Sequence, residues 1–144
     1  MSFTYTVPVP AYQNTPTFGS GAVLAKSARI NVAAGSGGAH NTAYPLGITL
    51  PKGAQIIGCG VVTSTAISGG TISAATIAVS ATNSIVSDVN VFATGGIWGP
   101  NTGGYVGNLS TNINKDYSLT YTLTLTGTGP ATAGVITVTV LYVV

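Results

Sequence analysis

The chain has 144 residues, and only six of them, four basic and two acidic, carry charged side chains. An average soluble domain is roughly 25% charged, whereas this sequence is 4% charged and 45% hydrophobic, which excludes the disorder that low hydrophobicity and high net charge produce. Four basic residues are too few for the electrostatic footprint of a nucleic-acid-binding domain. Glycine or polar residues interrupt each apolar stretch well before the ~18 residues of a membrane helix. We therefore expect neither nucleic acid nor a membrane as a partner.

The first 25 residues differ from the rest of the chain. Pro8, Pro10 and Pro16 stand there among four aromatic residues, and because proline cannot donate to a strand ladder, the segment is expected to be extended. It is either an edge strand with a loop or an arm that packs on a neighbouring subunit. No basic start precedes an apolar run, so we predict no secretory signal and synthesis in the host cytoplasm. Residues 26–144 are predicted to form the folded domain.

Strand-forming residues dominate that domain. Thr, Val and Ile together supply 49 of the 144 residues, and the chain also has 20 Gly and 7 Pro for turns. Alternation of apolar and polar residues predicts strands at 28–33, 44–50, 55–66, 71–80, 85–93, 118–126 and 134–144. Seven to nine short strands indicate an all-β, single-domain antiparallel sandwich or barrel, with a jelly roll as the favoured arrangement.

The last two predicted strands show the strictest alternation. Leu119, Tyr121, Leu123 and Leu125 alternate with threonine, and the strand that ends the sequence repeats the pattern with Val, Ile and Thr. A Gly-Thr-Gly-Pro turn at 127–130 separates them. We expect the two strands to form an antiparallel pair.

Residues that could carry chemistry are few and dispersed. Asp88 is expected on a polar strand face and Asp116 in a turn, so both are interpreted as solvated residues rather than as a catalytic pair. His40 lies in a glycine-rich loop, and Cys59, between two glycines of an apolar strand, is expected to be buried and inert. No catalytic, cofactor-binding or metal-ligating residue is predicted, and the chain is predicted not to be an enzyme.

Two binding interpretations remain open. Trp98 and Tyr105 lie in a Gly- and Asn-rich stretch, residues 94–114, and with His40 they could form a sugar-binding platform; alternatively, they pack over one end of the fold or at a subunit seam. The threonine rows around Thr122 resemble ice-binding ladders. Those ladders usually belong to regular repeats, and this sequence has no repeat of constant period.

Two segments together suggest a family. Ile48-Thr49-Leu50-Pro51-Lys52-Gly53-Ala54-Gln55-Ile56-Ile57 precedes a Val- and Thr-rich strand, and the chain ends with the strand sequence of residues 132–144. This layout, over residues 45–144, resembles small structural proteins of tailed bacteriophages, in particular capsid decoration (cement) proteins with a jelly-roll-like or barrel fold.

The resemblance implies a non-enzymatic homo-oligomer, with a trimer favoured, on the capsid surface of the virion. There it would bind the major capsid protein and stabilise the phage head. The resemblance implies no cofactor and no active-site residue. A sugar- or receptor-binding module of a head fibre or tail is the alternative.

Because so few charges are available, contacts between subunits should be hydrophobic and hydrogen-bonded rather than ionic. Salt screens ionic contacts and leaves apolar burial intact. We expect the oligomer to keep its mass in size-exclusion chromatography from low salt to molar NaCl. Dissociation over that range would contradict the prediction.

Overall fold

The computed structural model describes residues 22–81, 84–98, 105–106 and 115–144. The strands are β1 (Leu24–Ala33), β2 (Ala43–Leu50), β3 (Gln55–Ser68), β4 (Ala74–Ser80), β5 (Ser84–Asn90), β6 (Gly95–Trp98), β7 (Tyr105–Val106), β8 (Tyr117–Thr126) and β9 (Ala133–Val143). These described ranges hold no helix long and apolar enough to cross a membrane.

The strands form two sheets that enclose one core. Sheet I has the order β1-β9-β3-β6, and sheet II has the order β2-β8-β4-β5-β7. Every strand pairing among the described residues is antiparallel. The predicted all-β antiparallel sandwich is confirmed. The jelly roll stays a prediction, which the repeated crossing of the chain between the sheets favours.

The predicted pairing of the last two long strands is wrong. β8 pairs with β2 and β4 in sheet II, while β9 pairs with β1 and β3 in sheet I. Six residues, 127–132, carry the chain from one sheet to the other. Alternation specifies which side of a strand is buried, and both strands do bury their apolar side. It does not specify the strand partner, and here the two apolar sides face the same core from opposite sheets.

Three other strands, β1, β6 and β7, differ from the prediction. β1 begins at Leu24, inside the segment predicted as an arm; residues 1–21 of that segment lie outside the described residues, so the arm stays a prediction. The stretch 94–114, predicted as a loop, contains β6, which pairs with β3, and β7, which pairs with β5. Short glycine-rich strands lack the apolar alternation that would reveal them in sequence.

The core consists of the inward rows of both sheets. β9 contributes Ile136, Val138, Val140 and Tyr142, and β8 contributes Leu119, Tyr121, Leu123 and Leu125, all of them buried. The threonines between them, such as Thr137 on β9, point to the outer faces and are half-buried or exposed. Thus the alternation of threonine and apolar residues in the sequence places threonines on the outer faces and apolar side chains in the core.

Two connections interlock at one end of the sandwich. The loop before β4 donates from the Thr71 and Ser73 amides to the carbonyl oxygens of Thr128 and Thr126, at 3.1 and 2.8 Å. Gly127 has φ of 118°, and a Cβ there would collide with the Thr71 carbonyl oxygen and approach the Ile72 Cα to 2.9 Å. Only glycine permits both this backbone angle and this close approach.

We expect Gly127→Ala to lower the free energy of unfolding by about 3 kcal/mol, since it combines backbone strain with displacement of a neighbouring backbone. Gly47→Ala is the matched control: Gly47 has φ of 81°, but no atom lies within 4 Å of a Cβ built there. That control should cost only about 1 kcal/mol. Chemical denaturation measures both, and equal losses would contradict the prediction.

Candidate functional site

The two carboxylates lie apart and have separate structural surroundings. Asp88 is exposed at a bulge of β5, with φ of 58°, between the buried side chains of Val86 and Val89. Aspartate tolerates this left-handed conformation better than most residues. Asp116 lies just before β8, where its Oδ1 accepts a hydrogen bond from the backbone N–H of Lys52 at 2.9 Å. This bond ties the β2–β3 turn to the start of β8.

The His40 side chain forms a hydrogen bond with the protein backbone. Its Nδ1 accepts a hydrogen bond from the backbone N–H of Leu125 at 3.0 Å. The next residue, Asn41, donates its backbone N–H to the Leu123 carbonyl oxygen at 2.8 Å, and its Oδ1 accepts from the Thr124 hydroxyl at 3.1 Å. The β1–β2 loop is therefore pinned along β8. Sequence reasoning identified His40 but could not supply this partner, which is 85 residues away.

A pair of stacked tyrosines forms hydrogen bonds with the same loop. The Tyr44 and Tyr121 rings stack with centroids 5.5 Å apart, and the Tyr121 hydroxyl donates to the Gly37 carbonyl oxygen at 3.2 Å. The Tyr44 hydroxyl accepts from the Ala39 amide at 3.3 Å. Burial and the nearby Tyr44 phenol both raise the pKa of Tyr121. The two phenols therefore position a loop, and apart from their aromatic character nothing in the sequence indicates this role.

Cys59 is buried on β3 and free of any disulfide. Burial raises the pKa of its thiol to about 12 from the ordinary value of 9.0. The nucleophilic thiolate is therefore scarce at neutral pH, as the sequence predicted. Among the described residues, no three His, Cys, Asp or Glu side chains come together in a way that could hold a metal ion.

Trp98 and Tyr105 belong to strands rather than to a loop. The Trp98 backbone pairs with Gly60 of β3, and the Tyr105 backbone pairs with Ser87 of β5, so the two residues lie in different sheets. Their side chains and most of residues 99–114 lie outside the described part. The predicted platform of loop aromatics accordingly stays a prediction.

Two clefts open on the described surface, and charged side chains line neither of them. One, of about 240 Å³, lies beside the pinned β1–β2 loop and is lined by Gly35, Ser36, Gly38, Ala39, Tyr44, Pro130 and Ala131. The other, of about 170 Å³, is lined by Val61, Val89, Asn90, Ala93, Thr94, Gly95 and Gly96. Such walls offer apolar contact, a few hydroxyl and amide groups and backbone hydrogen bonds.

Among solved structures, chains of phage capsids have a fold similar to that of this protein. A chain of the capsid of Ralstonia phage GP4 is similar with a TM-score of 0.58 and 16% identity, over 96% of this chain and 90% of that one. A chain of the acid-stable capsid of Helicobacter pylori bacteriophage KHP30 is similar with a TM-score of 0.52 and 13% identity, over 85% of this chain and 87% of that one. No family model and no curated protein matches the sequence. The resemblance to phage virion proteins is thus confirmed at the level of the fold.

Asp116 provides a test of the structural role of its carboxylate. Asp116→Ala removes the acceptor of the Lys52 amide and should lower the free energy of unfolding by about 1–2 kcal/mol. Asp116→Asn keeps an acceptor oxygen of the same reach and should recover most of that loss. Denaturant titration distinguishes the two variants, and an Asp116→Ala variant as stable as the wild type would contradict the prediction.

Cys59 makes stability depend on pH in the alkaline range. The folded thiol has a pKa of about 12 against an ordinary 9.0, so the unfolded chain releases its proton first as the pH rises. This contribution to stability is full below pH 9 and decreases toward pH 12, by up to about 1.4 kcal/mol per pH unit. Relative to Cys59→Ala, the wild type should lose unfolding free energy over this range. Parallel pH profiles would contradict the prediction.

Proposed function

We propose that the protein is a non-enzymatic structural protein of a bacteriophage virion, of the capsid decoration type. The observation that carries the proposal is the fold shared with chains of two phage capsids over most of both partners' lengths. The proposal adds that the chain forms a homo-oligomer, with a trimer favoured, and binds the major capsid protein on the capsid surface. It is made in the host cytoplasm before it joins the virion.

The distribution of charge supports a role in assembly. The exposed charged residues lie in turns and on strand surfaces: Arg29 on β1 and Asp88 at the β5 bulge are separate, whereas Lys52 and Asp116 meet where the β2–β3 turn contacts the start of β8. No described cleft collects them. A surface of hydroxyl and small apolar groups can be buried against another subunit without the desolvation penalty that charges carry.

The outer face of sheet II illustrates this surface. Along β8, Thr120, Thr122, Thr124 and Thr126 pair with Ser80, Ala78, Thr76 and Ala74 of β4, and all eight side chains are small and uncharged. Side chains of this kind give an even surface on which a second rigid surface can lie closely. Such a face suits permanent contact with a neighbouring protein.

Size-exclusion chromatography with light scattering, followed by cosedimentation with undecorated capsids of the same phage, tests the proposal. We expect a stable oligomer that binds capsids saturably and raises their thermal stability. In the control, the oligomer is added to capsids that already carry the protein, and no further binding is expected. A monomer that fails to sediment with capsids would contradict the proposal.

The sugar- or receptor-binding alternative makes a different prediction. It requires glycan binding that Trp98→Ala abolishes and that Phe92→Ala leaves unchanged, because Phe92 is an exposed aromatic residue outside the 94–114 stretch. Glycan binding of this kind without capsid binding would favour the alternative.

A further inference from the structure

Exposed apolar side chains gather at one end of sheet I, where β1 begins and β9 ends. Five large hydrophobic side chains are exposed in the described part, and three of them lie at this end: Val23 at 59%, Ile57 at 42% and Val144 at 39%. Val23 directly precedes β1, Val144 directly follows β9, and Ile57 lies on β3 beside the end of β9. Clustering of this kind marks a surface that another element covers.

Two half-buried residues of β9 connect these positions. Leu141 is paired with Ala25 on one side and with Gly58 on the other, and a Cβ on Gly58 would lie 3.5 Å from the Leu141 Cδ1, so the leucine covers the glycine. Val143, two positions further along β9, is paired with Gln55. Because Tyr142 between them is buried in the core, Leu141 and Val143 face outward. We call Val23, Ile57, Leu141 and Val143 the outer apolar patch.

The edge strand β1 places no charged side chain in the patch. Lys26 pairs with Val140, which points into the core, and its Nζ donates to the Thr49 carbonyl oxygen of sheet II at 2.5 Å. Arg29, the other charged residue of β1, pairs with Thr137, four positions before Leu141 on β9. An occupant that lies along the β1 side of the patch therefore needs apolar side chains and meets no charge from β1.

The N-terminal sequence has that chemistry. The first 25 residues contain no charged side chain, and Phe3, Tyr5, Val7 and Val9 alternate there with Thr and Pro. In an extended chain this alternation places the four apolar side chains on one side. Their number equals that of the four residues of the patch.

The chain also reaches the patch without strain. It enters sheet I at Val23, which is itself part of the patch. Residues 10–22 can extend over about 40 Å, whereas three adjacent strands span only ~10 Å. Gly19 and Gly21 permit the backbone angles that a reversal of direction requires. Attachment at the edge of the patch also gives the segment a high effective concentration there.

We propose that residues 3–9 dock in extended conformation on the outer apolar patch of their own chain. The segment removes the apolar side chains of both surfaces from water, and it thereby keeps a charge-poor protein soluble before any assembly. This inference goes beyond the virion role and does not depend on it.

Chemical cross-linking of the full chain tests the proposal. In the variant Thr4→Cys with Gln55→Cys, a bismaleimide with a spacer of a few ångströms should join the two thiols within one chain. Neither substitution removes a patch residue, and the buried Cys59 stays unreactive. The control pairs Thr4→Cys with Thr124→Cys on the exposed outer face of sheet II. We expect cross-linking at least tenfold faster at Gln55 than in this control.

Mass spectrometry on a mixture of isotopically labelled and unlabelled protein separates the outcomes. Cross-links within one isotope class support the proposal. Cross-links between labelled and unlabelled chains, or equal rates in the two double variants, overturn it.

A deletion provides an independent readout. Removal of residues 1–20 should raise binding of a hydrophobic dye several-fold, and Leu141→Ser in the shortened protein should reverse most of the gain. Val62→Ser, at an exposed valine of sheet I outside the patch, should not reverse it. Unchanged dye binding after the deletion, in protein that still unfolds cooperatively, overturns the proposal.

Discussion

The fold depends on the burial of the apolar rows of β8 and β9 against each other from opposite sheets. Both strands lie inside their sheets rather than at an edge, so each is paired on both sides and anchors a wall of the core. β8 alternates buried leucine and tyrosine side chains with threonine, and β9 alternates its buried side chains with threonine, valine and leucine. Non-directional burial of this kind requires no charge, which explains how a chain with six charged residues reaches a defined structure.

Three of the ionisable side chains connect separate elements. Lys26 donates from β1 to the Thr49 carbonyl of sheet II, and Asp116 accepts from the Lys52 amide. His40 accepts from the Leu125 amide and fixes the β1–β2 loop. Each bond satisfies a backbone group at an edge or a turn, where no strand partner is available. Side chains engaged in this way are not assembled for acid–base chemistry, which agrees with the proposed structural role.

Sequence patterns predicted the all-β class, the long strands and the burial of Cys59, because alternation and composition report which side of a strand avoids water. They did not predict strand partners: β8 and β9 were expected to pair and instead lie in different sheets. The sequence patterns also did not predict local departures from strict alternation. Ile85 and Val86 are both buried next to the Asp88 bulge, which strict alternation forbids. The contacts of His40 and Asp116 join residues far apart in sequence, and one sequence carries no signal for such pairs.

The position of β9 has a consequence for how the protein is made. β9 separates β1 from β3 in sheet I, and the Ser27 and Thr139 hydroxyls that meet across β1 and β9 are 112 residues apart. While β9 is still inside the ribosome, β1 and β3 have no strand between them, and the core lacks the buried row of β9. Sheet I therefore forms only after the residues of β9 have emerged, and non-local pairing of this kind is slow. During translation, the nascent chain must keep its apolar strands soluble by some means other than its native fold.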